Sequence, residues 1–257
     1  MKNLTTYESF LEEGVNDPGI LKAFFMAGGP GSGKSFVASE IFGFPKEAVG
    51  SVSYRTGLKL VNNDNAFEAG LKKYGLSAGE LANYAKDEEK WAEVMKIRDN
   101  AKGLTKRLQD NYIAGRLGQV IDGTGKNFNK IRGHREMYQD FGYDTYMVFV
   151  NTSLEIALER NRARERRLPD GIVEKMWKEV QDNLGKFSRL FGKQNMIIVD
   201  NSSYEDSEKI LSHIEKEISR RVNMPIKNYL GLRWIEDQRN PDKNQPTGYK
   251  KKAGQRR

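Results

Sequence analysis

The eight residues Gly28-Gly29-Pro30-Gly31-Ser32-Gly33-Lys34-Ser35 match the pattern G-x-x-x-x-G-K-[S/T]. Glycines let the backbone curl until successive N–H groups converge on phosphate oxygens. A helix starting near Gly33 adds the positive end of its dipole. Lys34 is then placed to reach the β- and γ-phosphates, and the Ser35 hydroxyl to ligate magnesium. The bland alternative is a glycine-rich turn that binds nothing. The full motif, with an apolar run before it and a helical pattern after it, speaks for the cradle.

Three more groups extend this chemistry. Gln119-Val120-Ile121-Asp122 ends a strand-like run in a carboxylate and is followed by Gly123-Thr124-Gly125. Parallel strands deliver their C-terminal ends to one rim, so Asp122 is expected to hold magnesium there; the alternative is a turn aspartate capping its own loop. Asp64, in Asn62-Asn63-Asp64-Asn65, ends another such run. It reads equally as the base that takes a proton from an attacking hydroxyl and as the N-cap of a helix near Ala66. Arg160-Asn161-Arg162-Ala163-Arg164-Glu165-Arg166-Arg167 holds five arginines in eight residues. Helical spacing would put Arg160 and Arg164 on one face, where like charges repel unless an anion lies between them. Such a pair suits a migrating phosphoryl group; the plain alternative is a solvated helix end. Pro169-Asp170-Gly171 reads as a break, making 166–171 a lid.

The elements needed to hold these groups are legible as well. Continuous apolar runs at Ile20–Ala27, Leu58–Asn62, Gly118–Asp122, Thr145–Val150 and Met196–Val199 suit strands buried on both faces. Helix-period stretches separate them, at 34–42, 77–116 (split by Gly103), 130–141, 154–164, 171–191 and 205–220. This alternation predicts an α/β fold, a five-stranded parallel sheet with helices on both faces. Residues 1–19 are expected to give a leading helix (Leu4–Glu13) and turn, 20–221 the main domain, and 222–257 a basic extension, read as disordered from about 240. Leu230, Leu232, Trp234 and Ile235 could dock that extension on the body.

Composition narrows the classes. The 257 residues include no cysteine and only two histidines, which excludes thiolate zinc sites and disulfide staples. No apolar run reaches membrane-spanning length and no signal-peptide pattern opens the chain, so no membrane partner and a cytoplasmic location are expected. The net charge of +8 is carried entirely by residues 220–257, with 11 Lys/Arg against 3 Asp/Glu. Such a tail attracts phosphate polymers without reading sequence, or simply solubilises.

Together the motifs resemble the P-loop kinases of the zeta-toxin and polynucleotide-kinase group, over about Ala23 to Val199. Asn62-Asn63-Asp64-Asn65-Ala66-Phe67 is similar to the zeta-toxin pattern of an acidic base followed by an aromatic. Val120-Ile121-Asp122-Gly123-Thr124 resembles the third strand and aspartate-threonine turn of polynucleotide kinases. Leu158 to Arg164, with Pro169 beyond, resembles the arginine lid of that branch. The resemblance implies a P-loop NTPase fold using ATP (or GTP) and Mg2+, with Asp64 as general base and Arg160 or Arg164 as lid arginine. Phe67 stands where polynucleotide kinases carry an arginine for the substrate strand, which weakens a 5′-hydroxyl assignment. The expected reaction moves the γ-phosphate to a hydroxyl of a nucleic-acid end, nucleotide or nucleotide-sugar. Residues 66–98, with Tyr74, Tyr84 and Trp91, are expected to build much of the acceptor pocket. The alternative is a nucleotide-gated ATPase whose basic tail holds nucleic acid or a protein partner. A protein kinase is not expected, since no H-R-D loop occurs.

Overall fold

In the computed structural model, residues 14–45, 49–164, 167–202 and 207–240 are described. The leading helix expected at 4–13 and nearly all of the stretch read as disordered lie outside them. Strands β1 (Lys22–Ala27), β2 (Lys59–Val61), β3 (Gln119–Asp122), β4 (Asp144–Asn151) and β5 (Met196–Asp200) form one sheet in the order β2-β3-β1-β4-β5. Every pairing is parallel. The order makes β1 the centre: the chain first fills one side of it and then crosses to the other. At that switch the loops leaving neighbouring strands diverge and open a crevice at the C-terminal rim.

All six β1 residues are buried, and their alternation builds two cores. Phe24 and Met26 join Val120, Val148 and Val150 on one face. Helices α1 (Lys34–Glu40) and, later in the chain, Ser207–Asn223 close that face with Val37, Ile214, Ile218 and Val222. Ala23, Phe25 and Ala27 join Met147 and Phe149 on the other face. Burying one such phenylalanine contributes on the order of 2 kcal/mol.

Between β2 and β3 come α2 (Asn63–Lys73), a single 3₁₀ turn, the short α3 (Leu81–Tyr84) and α4 (Glu88–Ala114). The expected split at Gly103 does not occur: α4 runs through it for 27 residues. One internal glycine costs about 1 kcal/mol relative to alanine, and Val94, Ile97, Ala101 and Thr105 pack on both sides of it. The break comes earlier, where the Asp87 side chain accepts from the Lys90 N–H at 3.1 Å and caps α4. Thr105 packs beside the end of β2, its hydroxyl 3.5 Å from the Asn62 carbonyl. The seventeen residues before it therefore carry α4 roughly 25 Å past the sheet rim. That overhang has its own small core of Ala66, Phe67, Leu71, Val94, Ile97 and Ala101.

The chain continues through α5 (Phe128–Asp140), α6 (Leu154–Arg162), α7 (Asp170–Phe191), α8 (Ser207–Asn223) and α9 (Tyr229–Arg239). Tyr138, Val180, Phe187 and Phe191 cover the second sheet face, with Trp234 and Ile235 of α9 packed against them. Leu230 and Leu232 of the same helix remain exposed. Two readings of the arginine segment are corrected here. Helix α6 ends at Arg162, so Arg164 lies beyond it and does not share a helical face with Arg160. Pro169-Asp170-Gly171 does not break a helix but starts one, with Pro169 at the N-cap and its rigid φ suited to a helix entrance. Of the expected lid, Arg166 lies outside the described residues. Its flanks are held by Asn161, which donates to the Leu168 carbonyl at 2.8 Å and accepts from the Leu168 N–H at 3.1 Å.

Among the described residues no helix is long and apolar enough to cross a membrane.

Candidate active site

Residues Gly28–Ser35 join the C-terminal end of β1 to the start of α1. Two glycines here have left-handed backbones that a side chain would strain: Gly31 (φ 76°) and Gly33 (φ 88°). Space forbids a side chain as well. A Cβ on Gly31 would lie 2.3 Å from the Ala157 carbonyl oxygen, and one on Gly33 would lie 2.1 Å from the Asn201 amide nitrogen. Gly29 and Pro30 complete the outer turn, which the Ser32 N–H closes on the Gly29 carbonyl at 3.2 Å. The Gly28 N–H donates to Thr124, 3.1 Å away, tying the loop to the end of β3. The hydroxyl of Ser32 is buried and has no hydrogen-bond partner. Lys34 donates to the Gly28 carbonyl at 2.8 Å, so its ammonium arches back over the loop. Ser35 is exposed at the start of α1.

Asp122 ends β3 in register with Met26 of β1, which puts its carboxyl beside the loop. Oδ2 accepts from the Asn62 side chain at 2.9 Å. Oδ1 is buried and unpartnered. Burial pushes the carboxyl above its ordinary range; Lys34 pulls it back, Asp64 pushes it further up, and the Gly123 N–H opposes. Lys34 and Asp64 thus both lie close enough to act on the Asp122 carboxyl. The N-cap reading of Asp64 is corrected: the cap is Asn62, whose side chain accepts from the Asp64 N–H at 2.7 Å. Asp64 therefore sits in the first turn of α2, exposed, with its carboxylate not spent on capping.

Arg160 reaches the same place from α6. Its guanidinium donates to the Asn201 carbonyl at 2.9 Å and lies 3.8 Å from where a Gly33 Cβ would be. Arg162 instead pairs with Asp170 at 2.5 Å on the surface, and Arg164 is exposed past the helix end. The structure thus gathers the phosphate loop, Asp122, Asp64 and Arg160 at one rim and leaves Arg164 at the margin.

Sequence reasoning missed Asn201. Just past β5, it donates to the Ser32 carbonyl at 2.8 Å while its own carbonyl holds Arg160. One residue thereby links the phosphate loop to the arginine. Its position at the end of the fifth strand was the available signal. Asn183, buried on α7, was missed too; it donates to the Gly125 and Lys126 carbonyls at 3.0 and 2.9 Å and fixes the loop after Asp122.

The donor set suits a hard divalent cation. A hydroxyl at Ser35 and an unpartnered carboxylate oxygen at Asp122 are oxygen ligands, as magnesium requires. No group of three or more acidic or imidazole side chains converges among the described residues. An ion at this rim would complete its shell with phosphate oxygens and water.

A family model described as an AAA domain matches residues 24–186. The chain belongs to that family. The AAA-domain span contains the phosphate loop, Asp64, Asp122, Arg160 and Arg164, and stops before Asn201. No curated protein matches the chain. Among solved structures, the AvrRxo1-ORF1:AvrRxo1-ORF2 complex with sulphate ions shares 14% identity at a TM-score of 0.52, covering 77% of this chain and 60% of that one. The same complex with ATP shares 13% identity at a TM-score of 0.52, covering 88% of this chain and 70% of that one. The chain thus spans less than two thirds of the first of these. A match to the PezAT toxin–antitoxin system of Streptococcus pneumoniae, at 11% identity and a TM-score of 0.46 over 86% of this chain and 93% of that one, is too loose to bear on function. The sheet order, the loop, the family match and the two likenesses at a TM-score of 0.52 identify the fold as that of P-loop NTPases.

Proposed function

We propose that this AAA domain is a phosphotransferase that moves the γ-phosphate of ATP, or GTP, to a hydroxyl of a nucleic-acid end, nucleotide or nucleotide-sugar. The carrying observation is the cluster at the mouth of the phosphate loop: Lys34, the half-satisfied Asp122 and the exposed carboxylate of Asp64. ATP as donor gains support from the similar complex described with that nucleotide.

Each residue has a task in this reading. The loop N–H groups and the α1 dipole bind the triphosphate. Lys34 exchanges the Gly28 carbonyl for phosphate oxygens, and the Ser32 hydroxyl gains the acceptor it lacks. Ser35 and Asp122 hold Mg2+, which when bound neutralises charge on the phosphates. Asp64 accepts the proton of the attacking hydroxyl. Arg160, released from the Asn201 carbonyl, stabilises charge on the transferred group. The overhang of α2 to α4 faces the acceptor side; Tyr84 packs against its core, while Tyr74 and Trp91 are exposed and free to stack on a ring.

A transfer assay with γ-labelled ATP across RNA ends, DNA ends, nucleotides and nucleotide-sugars tests this. The expected outcome is label on one acceptor class, cut at least a hundredfold by Asp64→Asn. Label passing only to water, equally in wild type and Asp64→Asn, would leave a nucleotide-gated ATPase instead.

A further inference from the structure

The N-terminal rim of the sheet, opposite the phosphate loop, carries a cavity of about 230 Å³. Four parts of the chain line it: Arg135 and Gln139 of α5, Tyr143 to Tyr146 at the start of β4, Gln194 and Asn195 before β5, and Lys227 and Asn228 before α9. Its one carboxylate is already saturated. Asp144 accepts from Lys22 Nζ at 3.2 Å, from the Lys227 N–H at 3.0 Å and from the Asn228 N–H at 2.9 Å. Lys22 is fully buried and also donates to the Met224 carbonyl at 2.7 Å, so this carboxylate and ammonium cancel locally.

The cations facing the cavity are not matched in this way. Arg135 rests on the Phe191 ring, 5.3 Å from guanidinium carbon to centroid, and its Nε is buried without a hydrogen-bond partner. Burial pushes its pKa below the ordinary value, with Glu136 the one group opposing. Lys227 is exposed at the rim, its backbone N–H used by Asp144. The Nε is enclosed, so an oxyanion in the cavity would meet the terminal nitrogens of the same fork. The guanidinium fork matches phosphate geometry, and a second cation favours a doubly charged ligand. The volume is below the usual range for drug-sized ligands, roughly 300–1,000 Å³, which points to a phosphate group rather than a whole nucleotide.

We propose that this cavity binds a small phosphate-type oxyanion through Arg135 and Lys227, at a site separate from the phosphate loop. The test uses the full chain, inorganic phosphate and arginine-directed phenylglyoxal, with modified residues located by mass spectrometry, so that Arg160 reports the loop and Arg135 the far rim. Phosphate should slow modification of Arg135 several-fold, and this protection should persist in Lys34→Ala. Lys227→Ala should raise the phosphate concentration needed for half protection about tenfold. Equal modification of Arg135 with and without phosphate, protection lost with Lys34→Ala, or no shift with Lys227→Ala would each overturn the proposal. As a second measurement, the phosphate-induced rise in melting temperature of Lys34→Ala should vanish when Arg135→Met is added, since methionine keeps the Phe191 contact and loses the fork. Failure of the kinase reading leaves these outcomes unaffected.

Discussion

The two rims of the sheet handle a buried carboxylate in opposite ways. At the N-terminal rim Asp144 is filled from every side, by an ammonium and two backbone N–H groups. At the C-terminal rim Asp122 has one oxygen on Asn62 and the other on nothing, while its cation Lys34 is turned to a carbonyl. The two carboxylates flank β1 on β4 and β3, in register with Lys22 and Met26 and so about 13 Å apart along it. A charge that holds the fold together is fully paired, because removing water without replacement is costly. On the proposed function, the C-terminal charges are left short of partners for a ligand, and the fold carries that deficit until it binds.

Substitutions at the two rims should therefore separate activity from stability. Lys34→Ala should lower transfer about 10³-fold, near 4 kcal/mol of transition-state stabilisation, with the melting temperature almost unchanged. Steady-state kinetics and calorimetry on one preparation check this. Asp144→Ala should do the reverse. It strands a fully buried lysine and should cost about 3–5 kcal/mol in urea unfolding, while the folded fraction keeps its turnover. Equal losses of activity in the two variants would erase the contrast.

Smaller effects sharpen it. Asn201→Ala should weaken transfer about tenfold to a hundredfold by freeing both the Ser32 carbonyl and Arg160. The loss should fall mainly on kcat, and removing Arg160 as well should add little, a double-mutant cycle being the readout. Asp122→Asn should stabilise the metal-free protein by about 1 kcal/mol at neutral pH while abolishing its response to magnesium. The sign follows from the raised pKa. A carboxyl raised on folding favours the native state below its unfolded pKa and loses that advantage as pH climbs through the folded value. Wild type in chelator should accordingly lose stability over that rise, and Asp122→Asn should not.

All five strand positions were readable from their apolar runs, although burial on both faces fails at the edge strand β5, where Ile198 is exposed. The phosphate loop was readable because backbone geometry that only glycine tolerates leaves a mark in composition. Helix ends were harder. The periodicity through Arg164 continues past the point where α6 stops, and Gly103 looks like a break that packing on both sides overrides. Asn62 and Asp64 are both good caps, and only the backbone at Asn62, extended at φ −140°, shows which one caps α2.

By itself the sequence determined the sheet class, the phosphate cradle and the carboxylates that end β3 and lead α2, since each rests on local pattern. The tertiary structure alone decided which arginine meets the loop, that Asn201 joins the two, and that Asp144 is saturated while Asp122 is not. Those facts depend on pairings between residues 41 to 169 positions apart. No local spacing encodes such distances; only the order in which the strands assemble brings those groups within hydrogen-bonding reach.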